Sequence, residues 1–128
     1  MRDVRDLLKN LQPILHDGTY VFCSLPAGLD PATIETIGLF REAEGDTAIV
    51  EERVAAAHGL TPLYRAAWIT LTVNSDLNDV GMTAAVAQVL ADAGISCNVV
   101  AAIHHDHLFV PVDRGAAAID ALRRLQSK

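Results

Sequence analysis

Aromatic side chains are scarce in this chain: one Trp, two Tyr and three Phe, 5% of 128 residues. A core cannot rest on them, so it must be built from Val, Ile, Leu and Ala at close backbone spacing. Cysteine is scarce too. Cys23 and Cys97 each lie in an apolar run and are read as buried thiols rather than a disulfide. Basic residues are outnumbered, 10 Lys and Arg against 16 Asp and Glu, for a net charge of −6 and a pI near 5.2. That balance excludes general binding to nucleic acid or to anionic membranes, both of which need a basic surface. No apolar run approaches the roughly 20 residues of a membrane span. The opening MRDVRDLLKN is charged and amphipathic, unlike a signal peptide. These absences lead us to expect a cytoplasmic protein. GxSxG, GxxxxGK[ST], CxxC and HExxH are all missing, which removes the common nucleophile, phosphate and zinc signatures.

What is present suits a globular chain, with 51% hydrophobic and 20% charged residues. At this length, burial of roughly two thirds of the unfolded surface supports a core without staples. Val4, Leu7, Leu8 and Leu11 have helical spacing, with Asp3 as N-cap and Pro13 as terminator. Thr19 to Pro26 is β-rich with apolar residues on both parities. Pro26, Gly28 and Pro31 break the next stretch. Ile37 to Glu52 suggests a hairpin turning at Gly45-Asp46, and Arg53 to Leu60 a short helix closed by Gly59. Ala66 to Val73 is the strongest strand, with Trp68, Thr70 and Thr72 on one face and Ile69, Leu71 and Val73 on the other. After the polar loop NSDLNDVG comes the strongest helix. Asn78 and Asp79 are its capping candidates, and Gly94 fits its left-handed C′ position. Two further strands, SCNVVAAIH and HLFVPV, precede a last helix from Gly115 to Leu125.

Strand–helix–hairpin–helix is most of a βαββαβ ferredoxin-like unit. The pattern is clear from Trp68 to Leu125, although no final strand follows, and reduced from Tyr20 to Gly59. Six strong strands stand where two full units need eight, so strands are expected to be shared between the halves or between subunits. The fold class is α+β, with a reduced N-terminal unit over residues 1–62 and a second unit over residues 63–128.

Two places invite chemistry. In AAIHHDHLFV, the cluster His104, His105, Asp106 and His107 could be a metal site, an acid–base site or a polar turn. Metal sites draw three or four ligands from rigid elements, whereas these crowd one turn, and Asp106 can cap its own backbone there. The loop Asn74 to Gly81 joins the strongest strand to the strongest helix. A helix N-terminus exposes backbone N–H groups, and Gly81 permits close approach. The loop serves either as simple capping or as a seat for the polar end of a small molecule.

The stretch from Trp68 to Leu122 resembles an ACT domain, in particular the small bacterial tandem-ACT proteins. The resemblance is carried by Trp68-Ile69, by Ser75 with Val80-Gly81, by Asp92 to Ser96, by Asn98-Val99-Val100 and by Asp106 to Pro111. Leu11-Gln12-Pro13, Tyr20-Val21-Phe22 and Glu42 to Gly45 extend it upstream. It implies ferredoxin-like modules that pair side by side and bind amino acids or other small metabolites. It places the ligand at Asn74, Ser75, Asp76, Leu77, Asn78, Asp79, Val80 and Gly81, with Asn98 beside them. It makes Asp106 and His107 structural residues. It implies no catalysis, no cofactor and no metal. The partners it implies are a small-molecule ligand, a second copy in a homodimer and an unidentified regulated protein. One departure is that Gly81 is the loop's only glycine, and Asp76 and Asp79 put two negative charges beside it. The other reading in the same family is an interaction module that has lost its ligand.

Overall fold

The protein was analysed as a computed structural model that describes residues 4–72 and 77–126. Its elements are helix α1 (Val4–Lys9), strands β1 (Pro13–Leu15), β2 (Tyr20–Ser24), β3 (Gly38–Glu42) and β4 (Gly45–Glu51), helix α2 (Glu52–Ala57), strand β5 (Pro62–Leu71), helix α3 (Met82–Asp92), strands β6 (Asn98–Ala101) and β7 (Asp106–Pro111), and helix α4 (Gly115–Gln126). They form two compact units, one from Asp17–Ala66 and one from both chain ends, Met1–His16 with Ala67–Lys128.

In the central unit the strand order is β3-β4-β2-β5. The β3–β4 hairpin closes Glu42 against Gly45. The turn is therefore Ala43-Glu44, two residues ahead of the expected Gly45-Asp46. Gly45 adopts φ 140° inside the ladder, and Asp46 pairs with Arg41. Where a full unit has a first helix, this one has a loop with a short 3-10 turn at Pro31–Thr33, capped by the Asp30 carboxylate accepting from the Ala32 N–H at 2.9 Å. Val21, Cys23, Ala48, Val50, Val54 and Leu60 form its core.

In the terminal unit the order is β1-β5-β7-β6. The strand that sequence could not find after the last helix comes from the other end of the chain. β1 pairs antiparallel with β5, Pro13 opposite Leu71 and Leu15 opposite Ile69. The first helix is shorter than the apolar spacing suggests. It ends at Lys9, because Pro13 denies the chain another turn, and Leu11 is fully buried just beyond it. Strand β5 is longer than expected: residues 62–66 pair with β2 and residues 69–71 with β1. One strand thus fills a place in each unit, which accounts for the missing count.

The helices cover one sheet face. Ile69, Leu71, Val86, Leu90, Leu108, Val110, Ala118 and Leu122 make the core there. α3 ends as its sequence requires: Gly94 takes φ 74°, and the Ile95 N–H returns to the Leu90 carbonyl at 2.8 Å. α4 begins at Gly115, where a Cβ would stand 3.1 Å from both Ala67 Cβ and Leu15 Cδ1. A side chain here would push Ala67 and Leu15 back by a few tenths of an ångström, so glycine suits the close meeting of β1, β5 and α4. Gly115→Val is expected to cost about 1–3 kcal/mol by overpacking, measured as a lower urea midpoint with an unchanged slope.

Candidate ligand site

Alternation along β7 divides the histidine-rich segment between two environments. Leu108 and Val110 lie in the helix-side core, so Asp106 shares their face, while His107 and Phe109 stand on the opposite one. The segment is the β6–β7 hairpin, with Ala101 opposite Asp106 and the Ala102 N–H donating to the His105 carbonyl at 3.1 Å. His104 is exposed.

On the helix side, the hairpin faces the start of α3 across a cavity of about 60 Å³, lined by Leu77, Asp79, Met82 and Thr83 on one wall and Ala101, Ala102, His105 and Asp106 on the other. The volume is small, about that of two waters in the liquid. Burial raises the Asp106 carboxyl pKa, and His107 pulls it the other way. The buried Nδ1 of His105 has no hydrogen-bond partner among the described residues.

The start of α3 differs from the capping expected of Asn78 and Asp79. The N-cap is Gly81 at φ 99°, a residue with no side chain to cap with. The Ala85 N–H donates to the Gly81 carbonyl at 2.9 Å. Glycine is needed here because the left-handed conformation penalises a Cβ. Of the residues implied as ligand-binding, Leu77 and Asp79 line the cavity. Val80 is 66% exposed, and Asn78 and Gly81 are also exposed. Asn98 sits on β6 opposite Phe109, one residue before Val99, which packs on the helix-side core. Asn98 is not among the cavity's lining residues. Asn74, Ser75 and Asp76 lie outside the described residues. The hairpin wall, His105 and Asp106 included, was missed as part of this site. The available signal was the position of Asp106 two residues before buried Leu108.

On the opposite face a polar network joins three elements. The Trp68 indole N–H donates to His107 Nδ1 at 3.1 Å. Thr70 Oγ1 lies 3.1 Å from the same nitrogen and 2.7 Å from His16 Nε2. His16 stacks on Trp68 with ring centroids 3.6 Å apart. Its backbone N–H donates to the Trp68 carbonyl at 2.9 Å, carrying the β1–β5 pairing one residue past Leu15. Burial lowers the pKa of both histidines. For His107 the nearby His105 and His16 push the same way, and Asp106 opposes them. His16 had no motif to announce it; only its alternation with Ile14 along the short strand marks its face.

No group of three or more His, Cys, Asp or Glu among the described residues is placed to hold a metal ion. No helix among them is long and apolar enough to cross a membrane.

ACT-domain profiles match residues 1–67 and residues 64–124. Among solved structures, VC0802 from Vibrio cholerae, a protein of unknown function described as a possible transport protein, is 41% identical over 96% of this chain and 95% of its own, with a TM-score of 0.87. Atu0741 from Agrobacterium tumefaciens is 18% identical, covering 91% of this chain and 89% of its own, with a TM-score of 0.66. The ligand-free regulatory subunit of aspartate kinase from Thermus thermophilus is 13% identical, covering 88% of this chain and 95% of its own, with a TM-score of 0.63. These last two share the fold. No curated protein matches the chain.

Both cysteines are free, and burial raises their pKa values, that of Cys97 to about 11. At pH 8 a thiol of that pKa is ionised to only about one part in a thousand. Alkylation of Cys97 by iodoacetamide at pH 8 is therefore expected to run roughly a hundredfold slower in the folded protein than in urea, read by mass spectrometry of the modified peptide.

Proposed function

The chain belongs to the ACT-domain family, and from that premise we propose that it is a non-catalytic regulatory protein that binds a small molecule, an amino acid, at the start of α3. The observation that carries this reading is the cavity between Leu77, Asp79, Met82 and Thr83 and the hairpin residues His105 and Asp106. An amino acid brings both charges. Asp79 and Asp106 suit its ammonium group, and the first turn of α3, opened by Gly81, presents N–H groups toward its carboxylate. The cavity takes only a head group, which leaves the side chain to be read by the loop before α3, with Asn74, Ser75 and Asp76 as its polar residues. The likeness of fold to a regulatory subunit of aspartate kinase fits a role in control rather than in chemistry. The regulated protein is a separate partner, and the working form is a homodimer. A second reading, an interaction module without ligand, is favoured by the small volume and the two carboxylates of the cavity.

A thermal-shift screen of tag-free protein against the proteinogenic amino acids tests the first reading. A ligand at 100 times its dissociation constant stabilises by about 2.7 kcal/mol, several degrees for a domain of this size. Ala102→Leu, on an exposed hairpin position, is expected to fill the cavity and remove the shift while leaving the unliganded melting temperature within about 1 °C. A flat screen that includes every amino acid, or a shift that Ala102→Leu leaves intact, overturns the proposed site. Light scattering is expected to give twice the 13.7 kDa chain mass; the chain mass itself at all concentrations contradicts the dimer.

A further inference from the structure

The network on the sheet face opposite the helices has a protonation logic of its own. An indole N–H can only donate, so His107 Nδ1, which receives it at 3.1 Å, carries no proton. Neutral His107 therefore holds its hydrogen on Nε2. Thr70 Oγ1, also 3.1 Å from that Nδ1, must donate to it, since two acceptors would otherwise face each other. Thr70 then accepts from His16, whose Nε2 is 2.7 Å away, so His16 is the Nε2–H tautomer. The bonds His16–Thr70–His107–Trp68 thus run in one direction, with the Trp68 N–H and the Thr70 hydroxyl sharing the lone pair of His107 Nδ1, and they do so only while His107 is neutral; His16 keeps its Nε2–H toward Thr70 whether neutral or cationic.

A proton taken up by His107 has one place to go, Nδ1. There it faces the Trp68 N–H, whose bond is lost. The new N–H turns Thr70 from a donor into an acceptor at His107. Thr70 must then donate to His16, which already presents an N–H and has to change tautomer. A second proton, on His16, leaves the Thr70 hydrogen with no acceptor and sets two cations on either side of one hydroxyl that is only 6% exposed.

These bonds hold β1. That strand pairs with β5 over three residues, the first of which is Pro13, which has no N–H to give. Besides this ladder, β1 packs on α4, where Leu15 meets Gly115, and hydrogen bonds tie its His16 end and its Gln12 end. At the Gln12 end, the Thr72 N–H and hydroxyl donate to the Gln12 carbonyl at 2.9 and 2.7 Å. We infer that His16, Thr70, His107 and Trp68 form a proton-operated latch, closed while His107 is neutral, whose opening in mild acid releases β1 from the edge of β5.

The charged groups acting on His107 are His105 and Asp106 from its own hairpin and His16 from the end of β1. From β5 it meets Trp68 and Thr70, and from β6 its partner is Val100, none of them ionisable near neutral pH. Burial lowers the pKa of both imidazoles, so the folded form binds fewer protons than the unfolded one below the ordinary histidine value of about 6.5. The latch is at full strength above that pH and weakens as pH falls from there through the lowered folded values.

Hydrogen exchange on the full chain at pH 7.5 and pH 5.5, corrected for intrinsic rates, tests the inference. Protection of the His16 and Thr72 amides is expected to fall about tenfold at pH 5.5 relative to the amide of Leu122 in α4, the loss of one or two hydrogen bonds. In His107→Asn the side-chain oxygen replaces the accepting nitrogen without titrating, and the fall is expected to vanish. Emission from Trp68, the chain's one tryptophan, should titrate in the parent and lose the His107 component in this variant, leaving that of the stacked His16. Equal loss of protection at His16, Thr72 and Leu122, no loss at all, or the same pH dependence of exchange in His107→Asn overturns the latch. Should that variant lose its fold by circular dichroism, the parent's exchange ratio decides alone.

Discussion

A ten-residue strand carries backbone donors and acceptors along its whole length, and each must be paired where it is buried. β5 is that strand, and the fold depends on how its edge is satisfied. Residues 62–66 are answered by β2 and residues 69–71 by β1. Because the second partner comes from the first fifteen residues, the terminal unit is closed by the chain's own beginning. This requirement explains the shortness of α1, the position of Pro13 and the bare Cα of Gly115 beneath Leu15. Without Pro13 the apolar spacing of Leu7, Leu8 and Leu11 favours a longer helix, and β5 loses a neighbour.

The same sheet gives its two faces different work. Alternation on β7 sends Asp106 toward the helices and His107 away from them. Asp106 thereby joins the wall of the cavity at the start of α3, and His107 joins the network that ends at His16. A run of residues that looks like one cluster along the chain belongs to two separate arrangements in space. The residues crowd together in sequence because a tight hairpin carries them, and its register separates them in space. The start of α3 is left to Gly81, beside the carboxylates of Asp79 and Asp106 that line the cavity. The proposal of an amino-acid ligand rests on that juxtaposition.

Much of this was legible in order along the chain. The alternation of Trp68 to Leu71, the helix closed by Gly94 and Ile95, and the burial of Cys23, with Cys97 half-buried, are local properties, set by period, propensity and composition. The ACT resemblance came separately, from the short motifs between Trp68 and Pro111. The Gly45 turn was misplaced by two residues because glycine is favoured both in turns and at positive φ inside a ladder, and sequence does not separate the two. The N-cap position fell at Gly81 rather than at Asn78 or Asp79 for a related reason: several candidates in a row compete for one N-cap. The cavity was half legible. Leu77 and Asp79 belonged to a recognisable strand-to-helix loop, whereas His105 and Asp106 reached it only through the register Ala101–Asp106 of a different hairpin.

The sequence alone determined the α+β class, the two ferredoxin-like patterns, the aliphatic core and the acidic surface, since each depends on neighbours within a few residues. The tertiary structure decided which strand completes the terminal unit, and that His16 meets Trp68 and Thr70 across more than fifty residues of chain. It also decided which face each histidine occupies. Those outcomes rest on long-range register, where a shift of one residue would move every side chain to the other face, and no local signal in the chain encodes it.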